Sequence, residues 1–511
     1  MVNFLYQNRL AIALIILISA VYFLLRLPSL TLQPIFADEA IYIRWAQVMR
    51  AEPTLRFLPL SDGKTPLFMW SMIPLFKLFS DPLFAGRFLS IISGFLTLVG
   101  VYILGGRFFN RQVGLLAAFL VAVTPLMVFF DRMALVDSML TAFTIWSLIF
   151  SLLLAKYLRL DLSMFLGFIV GGAILTKTPG FFNILTLPLT LISFDWARRR
   201  KDKWAFVKLV GFWAVVIIIA LIMYNILRLG PGFTSLSSRN GDYVHPPERI
   251  FQYPLDPLIP HGKDFLEVAR LMITWPIFVL MFASLIWAVV KKHRLALTIA
   301  FWALAPLVIQ LEFLKTFTAR YILFSIPPLL VLTAWFVDYI LGRVKTRRRM
   351  AWMGVLIFIS AVALVFDYTL LTKPAAAPLP KNEHIGYFED WTAGYGFVQI
   401  AQYLTKQSQR EDVVVGTDGY FGTLPDGLQI YLDKERHVIV QPGQLSIINS
   451  LRQTAREHPT YFVVNRPKAQ LMEQNLKLVL EFPKDSTFSH ENNSVQLYQV
   501  FSTSSASAII K

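Results

Sequence analysis

The sequence predicts a polytopic α-helical membrane protein of about 11 spans, followed by a small extracytoplasmic α/β domain. Three observations predict this. Of 511 residues, 56% are hydrophobic and 14% aromatic, and the mean hydropathy is +0.56; an average soluble domain is far more polar. Apolar runs near the ~20 residues that cross a bilayer recur as far as position 371. After Thr372 the pattern changes to short strand-like and helix-like runs in alternation.

Spans are expected at roughly 10–27, 84–106, 112–130, 133–155, 162–176, 180–194, 209–229, 268–290, 295–312, 320–341 and 350–371. The first run lacks a small-residue cleavage site and reads as a retained span, not a signal peptide. The fifth and sixth are short for a hydrocarbon core of about 30 Å, which implies tilted or broken helices. The loop 28–83 holds two expected interfacial helices. One runs from about Glu39 to Met49, with Ile41, Trp45 and Val48 at helical spacing; the other runs from about Pro66 to Phe79 and opens on a proline. The loop from Gly230 to Glu267 is rich in Pro, Gly and Ser and reads as flexible when empty.

The second domain is expected over 373–511, after the membrane domain 1–372. Lys373 to Pro380 is a proline-rich linker. Strands are expected at Val413–Val415, His437–Val440, Tyr461–Val464 and Leu476–Phe482, with an edge strand at Val495–Val500. Helices are expected at Phe397–Lys406, Leu445–Glu457 and Pro467–Gln474, and the tail from Ser502 reads as disordered. No glycine-rich phosphate fingerprint occurs in this part.

The formal charge is +16. Nucleic acid is excluded as a partner by where that charge lies. Arg107 and Arg111, Lys156 and Arg159, the run Arg198, Arg199, Arg200 and Lys201, Lys291 and Lys292, and the run Arg343 to Arg349 all occupy short gaps between apolar runs. Alternate gaps are basic, which is the positive-inside pattern. It puts the N-terminus in the cytoplasm of a multi-pass plasma-membrane protein and the C-terminal domain outside, with the loop 28–83. There are no cysteines, so neither disulfides nor thiol chemistry enter.

Under this topology the outer surface collects Asp38, Glu39, Lys64, Asp131, Arg132, Lys177, Glu312, Lys315 and Arg320, with Asp137 about one turn inside the fourth span. Cations on the side where the positive-inside rule does not put them, with carboxylates beside them, suggest an anionic, phosphate-bearing ligand. Each residue also has a plainer reading. Asp38 is a favoured N-cap for the helix after it. Lys64, Lys177 and Arg320 can snorkel to headgroups, and Asp131 with Arg132 can be a solvated pair. Asp137 is harder to dismiss, because a carboxylate inside a span is expensive unless paired or watered. His245, His261 and Glu248 match no metal spacing and read as ordinary loop residues.

These pieces resemble the GT-C superfamily of integral-membrane glycosyltransferases, and within it the protein O-mannosyltransferase and lipid A aminoarabinose transferase branch. They are Ala37-Asp38-Glu39-Ala40; Gly63-Lys64-Thr65-Pro66-Leu67 with Trp70; Asp131-Arg132 through Asp137; Leu175-Thr176-Lys177-Thr178-Pro179-Gly180; and Ala319-Arg320-Tyr321. They follow in matching order over roughly residues 1–340. Thr65 stands where that branch has a proline, and no Trp-Trp-Asp motif of the oligosaccharyltransferase branch occurs.

The resemblance implies transfer of a sugar from a polyprenyl-phosphate donor, outside the membrane, to an acceptor glycan, lipid or protein. It implies Asp38 as catalytic base with Glu39 beside it. It matches Lys64 to a first-loop lysine, and Asp137, Lys177 and Arg320 to polar positions near the donor site; Lys64, Arg132, Lys177 and Arg320 are expected to hold the donor phosphate, with Asp131 and Asp137 in a donor or metal site. A divalent metal is compatible with Asp38 or Asp137 but is not specified. The residue types suit that chemistry: a hydroxyl nucleophile needs a base, and a phosphate leaving group needs cations. The competing readings are a transporter or flippase for lipid-linked sugars and a membrane-anchored binding protein. The first predicts inverted repeats and mid-membrane polar groups, which the sequence does not show. The second leaves the outer charges unexplained.

Overall fold

Each apolar run expected to span the membrane is helical in the computed structural model, which describes residues 2–197, 202–343, 346–467 and 476–502. The basic run Arg198 to Lys201, Lys345, the expected helix beyond Pro467 and the tail after Ser502 lie outside the described residues.

Among the described residues six helices are long and apolar enough to cross a membrane alone: Pro82–Phe108, Val136–Tyr157, Ala205–Leu229, Leu258–Val290, Arg294–Phe313 and Ala319–Arg343. There are seven if the pair Arg111–Val123 and Pro125–Asp131, bent by 61°, is counted as one span. The bend has a local cause. Pro125 offers no N–H, and it pushes Thr124 into an extended conformation with ψ 120°. The remaining expected spans are shorter apolar helices: Arg9–Leu24, Leu160–Thr176, Thr178–Ile192 and Leu356–Thr372. Thr178–Ile192 is mostly 3-10 helix, interrupted by Pro179 and Pro188, which accounts for the shortness read in the sequence.

The chain divides into two compact units. The first comprises Met1–Leu30, Leu55–Trp70 and Arg87–Pro380; the second comprises Thr31–Thr54, Ser71–Gly86 and Lys381–Lys511. The second unit thus takes segments of the first loop as well as the C-terminal domain.

In the first unit, the segment after Gly230 is folded rather than a loose loop. It forms helices Ser235–Tyr243 and Leu258–Val268. Leu236 packs with Leu60, Leu175 and Leu227 in one buried cluster, joined by Phe57, Trp70 and Phe233. Apolar residues scattered through a Gly- and Ser-rich stretch supplied that anchor.

In the second unit five strands form one mixed sheet: β3 (Val413–Asp418), β4 (Val438–Gly443), β5 (Thr460–Pro467), β6 (Leu476–Pro483) and β7 (Asn493–Val500). Their order is β4-β3-β5-β7-β6; β3 is parallel to β4 and β5, and β7 is antiparallel to β5 and β6. The segment Val495–Val500 is therefore an interior strand, not the expected edge. Val495, Leu497 and Val500 are buried, whereas β6 is half-buried and takes the edge. The helix Ile448–Thr454 covers one face through Ile448 and Leu451 on Val414, Phe462 and Tyr498. The helix Phe397–Ser408 covers the other, with Tyr403 against Tyr461.

The first-loop helix of this unit spans Ala37–Ala51. A two-residue strand, β1 (Ile35–Phe36), precedes it and pairs with β2 (Ala393–Gly394). Arg44 and Arg50 both reach Asp433, at 2.9 and 2.8 Å, and the Gln47 amide donates to the Ile430 carbonyl at 2.9 Å. The helix was expected to lie along the membrane surface. Instead ten of its residues are buried, from Ala37 to Met49, as befits a helix packed on several sides.

Candidate active site

The ends of three helical elements meet in the first unit. Asp137 lies in the first turn of Val136–Tyr157, where the helix dipole favours a carboxylate. Lys177 caps the C-terminus of Leu160–Thr176 in an extended conformation, its N–H still bonded to Ala173 O at 3.1 Å. The chain then turns back tightly. A Cβ on Gly180 would sit 2.4 Å from the Ala173 carbonyl carbon, so glycine is required there. Arg320 and Tyr321 lie in the 3-10 turn Ala319–Ser325. The three elements are held together by Leu140, Ala173 and Phe324, with Phe143 and Phe182 packed against them.

The result is one constellation. Lys177 Nζ donates to Asp137 Oδ1 at 2.7 Å and lies 4.6 Å from the Tyr321 ring centre. The Arg320 guanidinium lies over the same ring at 5.4 Å. Asp137 is buried, and its Oδ2 has no hydrogen-bond partner. The Lys177 side chain is 21% exposed and Arg320 is half-buried, so both cations can be reached. Two cations over one aromatic ring, one of them steered by a carboxylate, have the chemistry to attract an anion.

Lys64 occupies a turn in the same unit. Its ammonium is 3.4 Å from Asp62, which also takes Arg239 at 2.6 Å from the helix Ser235–Tyr243. The Leu60 cluster that seats this turn includes Leu175, two positions before Lys177. Of the other charges expected on the outer surface, Lys315 Nζ donates to the Gly241 carbonyl at 2.5 Å, and Glu312 is buried with one oxygen unbonded.

Asp131 and Arg132 go elsewhere. Both are buried, so the solvated-pair reading fails. Asp131 accepts from Arg26 Nε at 2.9 Å, Tyr22 at 3.2 Å and Ser138 at 2.8 Å. Arg26 also donates to the carbonyls of Ala122 and Val121. Arg132 spends its two terminal nitrogens on the carbonyls of Arg26, Pro28 and Ser29, at 2.7, 2.9 and 2.9 Å. Arg87 adds Leu30 O at 2.7 Å. This charge brace holds the chain where it leaves the first span. It needs Gly94, since a Cβ there would fall 2.3 Å from Asp131 Oδ2. The phosphate role expected of Arg132 does not suit a guanidinium buried on three carbonyls. The sequence reading missed Arg26, Arg87 and Asp367. Asp367 is a fully buried acid within charge range of Arg26 and Arg132.

Asp38 and Glu39 belong to the second unit. Asp38 is half-buried at the second position of its helix. The capping reading fails for it, because the N-cap is Phe36 and Glu39 supplies the cap: Glu39 Oε2 accepts the Phe36 N–H at 3.0 Å. The next N–H, of Ala37, goes to Thr392 O at 2.9 Å.

For a metal, the described residues contain one group of three close ligand types, His384, Glu389 and Asp485. Glu389 there already receives His384 Nδ1 at 2.7 Å and the N–H groups of Phe488 and Ser489, so this is a hydrogen-bonded structural cluster. His261, in the helix Leu258–Val268, meets Leu311 O through Nδ1 at 3.0 Å.

Residues 63–224 match the family described as dolichyl-phosphate-mannose-protein mannosyltransferase. No curated protein is similar enough in sequence to count as a relative. Among solved structures, ArnT from Cupriavidus metallidurans bound to undecaprenyl phosphate shares 16% identity at a TM-score of 0.61, covering 96% of this chain and 98% of that one. Its apo form gives 17% and 0.59 with the same coverage. The archaeal oligosaccharyltransferase AglB from Archaeoglobus fulgidus, in complex with an inhibitory peptide and a dolichol-phosphate, shares 12% at 0.53, over 90% of this chain and 70% of that one. The likeness to the solved structures is one of fold; the match over 63–224 covers Lys64, Asp137 and Lys177. Over residues 63–224 the sequence is similar to the protein mannosyltransferase family, and along nearly the whole chain the fold is similar to that of ArnT.

Proposed function

We propose that the protein transfers a sugar from a polyprenyl-phosphate donor to an acceptor hydroxyl on the non-cytoplasmic side, by a single inverting displacement. The observation that carries the donor class is the pair of reachable cations, Lys177 and Arg320, on the Tyr321 ring beside Asp137. The solved relatives bound to undecaprenyl phosphate and to dolichol-phosphate support it. The basic gaps between spans support the orientation.

In the reaction the acceptor oxygen forms a bond to the anomeric carbon as the bond from that carbon to the phosphate oxygen breaks. Asp38 takes the acceptor's proton, a role worth about 10²–10⁴-fold in rate. The departing polyprenyl phosphate gains negative charge. Arg320 grips it through its planar fork, and Lys177 and Lys64 supply point charges. Asp137 fixes Lys177. Glu39 fixes the helix that carries Asp38, while Asp131 and Arg132 brace the start of the first loop.

The test is transfer from a panel of radiolabelled polyprenyl-phosphate sugars to membrane extract, with wild type and Asp38→Asn compared. The variant is expected to lose transfer by about 10²–10⁴-fold while keeping its melting temperature. Full transfer by a well-folded Asp38→Asn protein would sink the assignment.

A further inference from the structure

The C-terminal domain carries a recessed site whose residues have no role in the chemical step proposed above. In its sheet, β3 has β4 on one side and β5 on the other, and helices cover both faces, so the strand order reverses at β3. Open α/β sheets place ligands at the carboxyl ends of the strands at such a point. A cavity of about 630 Å³ lies there, bounded by the ends of all three parallel strands: Asp418 at the end of β3 and Gly419 after it, Gln444 to Ser446 after β4, and Asn465 and Arg466 in β5. Its size is that of a small-molecule pocket.

The lining has two kinds of group. Trp391, Tyr420 and Phe421 are large aromatics that stay 54%, 66% and 45% exposed at the rim. Solvent-exposed rings of this size, grouped at a cavity, are there to be covered. Deeper in, Arg466 Nε donates to Asp418 Oδ2 at 2.6 Å, which aligns a planar donor and a planar acceptor side by side. Asn465 is nine-tenths buried; its amide nitrogen is held by Trp391 O at 2.7 Å, and its Oδ1 is buried without a hydrogen-bond partner. An orphaned buried acceptor in a cavity wall is an open position for a donor.

We infer that this crevice binds a saccharide, with a sugar ring against the exposed aromatics and its hydroxyl pairs on Asp418, Arg466 and Asn465. A pyranose has an apolar C–H face for an aromatic ring and an edge of neighbouring hydroxyls, each both donor and acceptor. That edge matches planar carboxylate, guanidinium and amide groups. An acidic or basic peptide would need unpaired charge in the crevice, whereas Asp418 and Arg466 neutralise one another. The crevice wall is also continuous with the Asp38 helix inside the same unit. Phe421 meets Trp45 at 5.8 Å between ring centres, a Cβ on Gly422 would be 3.9 Å from Ala37 Cβ, and Thr392, next to Trp391, takes the Ala37 N–H. Resting on the proposed transferase reaction, the saccharide is the acceptor's: the domain holds a glycan for the base that its neighbour carries.

The test uses the purified full chain on an array of short neutral, amino-bearing and acidic oligosaccharides, beside a peptide array. Trp391→Ala, Tyr420→Ala and Asp38→Asn are measured with wild type. Saturable saccharide binding is expected for wild type and Asp38→Asn. It should be weaker by about tenfold or more in the two aromatic variants, a change of roughly 1.4 kcal/mol, with melting temperature unchanged. No saccharide binding by wild type, binding equal in all variants, or peptide binding lost in the aromatic variants would each overturn it. Failure of the reaction assignment reads out separately, as transfer retained by Asp38→Asn while saccharide binding stands.

Discussion

The stretch from Asp131 to Asp137 feeds two clusters that use the same residue types differently. Asp131 enters a brace in which every charge is buried and the carboxylate receives three donors. Asp137 enters the cation site, where one carboxylate oxygen takes Lys177 and the other has no hydrogen-bond partner, and where both cations keep solvent access. The difference is one of saturation. A buried charge with all its bonds made holds two pieces of chain in one geometry. A charge with capacity left over is available to a ligand. The brace locates the loop; the cation site keeps one unbonded carboxylate oxygen and two reachable cations.

The brace gives the largest expected effect. Arg26→Leu leaves Asp131 buried without its cation and should destabilise the protein by about 3–5 kcal/mol, read as a fall in melting temperature in detergent. The double variant Arg26→Leu with Asp131→Leu should recover most of that loss, because an apolar pair of similar volume is often neutral. A single variant as stable as wild type would show that the brace holds nothing.

A third buried carboxylate sharpens the contrast, because no cation touches it directly. Asp426 accepts the Gly422 N–H at 2.8 Å. Burial pushes its carboxyl up from an ordinary 3.8 to about 6, opposed by that hydrogen bond and by the charge of Arg44. A raised pKa means that the folded protein holds the proton more tightly than the unfolded chain. The stability this contributes is full below about pH 4 and is lost as pH rises through about 6. Asp426→Asn should therefore stabilise by roughly 2–3 kcal/mol at pH 8 and change little at pH 4. Melting curves at the two pH values check it; an equal effect at both would mean that the carboxylate is not strained when charged.

The spans and the existence of the C-terminal domain were legible because hydropathy and period carry them directly. Asp137 and Lys177 were legible for a related reason: an ionised group in or beside an apolar run is too costly to be accidental. Arg26 and Arg87 carried the same signal but were absorbed into the ends of the runs 10–27 and 84–106, where a long cation can snorkel. Their actual partners, Asp131 and the Leu30 carbonyl, lie 105 and 57 positions away, and no local pattern encodes that. Asp38 was read correctly as lying near a helix start, but the cap fell to Phe36 and Glu39. The alliance of its helix with Asp433 and Ile430 joins residues nearly four hundred positions apart. Val495–Val500 reads as an edge strand in the sequence, but strand order follows pairing, and β7 sits between β5 and β6.

The smallest effect asked of the comparison is also its most direct test, because it puts one change in both clusters. Arginine and lysine carry the same charge, but only arginine has a planar fork of donors. In the brace, Arg26→Lys removes the geometry that reaches Asp131 together with the carbonyls of Val121 and Ala122, so the melting temperature should fall. In the cation site, Arg320 stacks on Tyr321 and stays half-buried. Arg320→Lys should leave the melting temperature within experimental scatter and lower transfer by about tenfold, the equivalent of roughly 1.4 kcal/mol in the barrier. The loss should fall on kcat rather than KM, because a grip on the leaving phosphate strengthens only as its charge develops. If Arg320→Lys unfolds the protein while Arg26→Lys spares it, the roles of the two clusters are reversed. If the loss falls on KM alone, Arg320 holds the donor without assisting its departure.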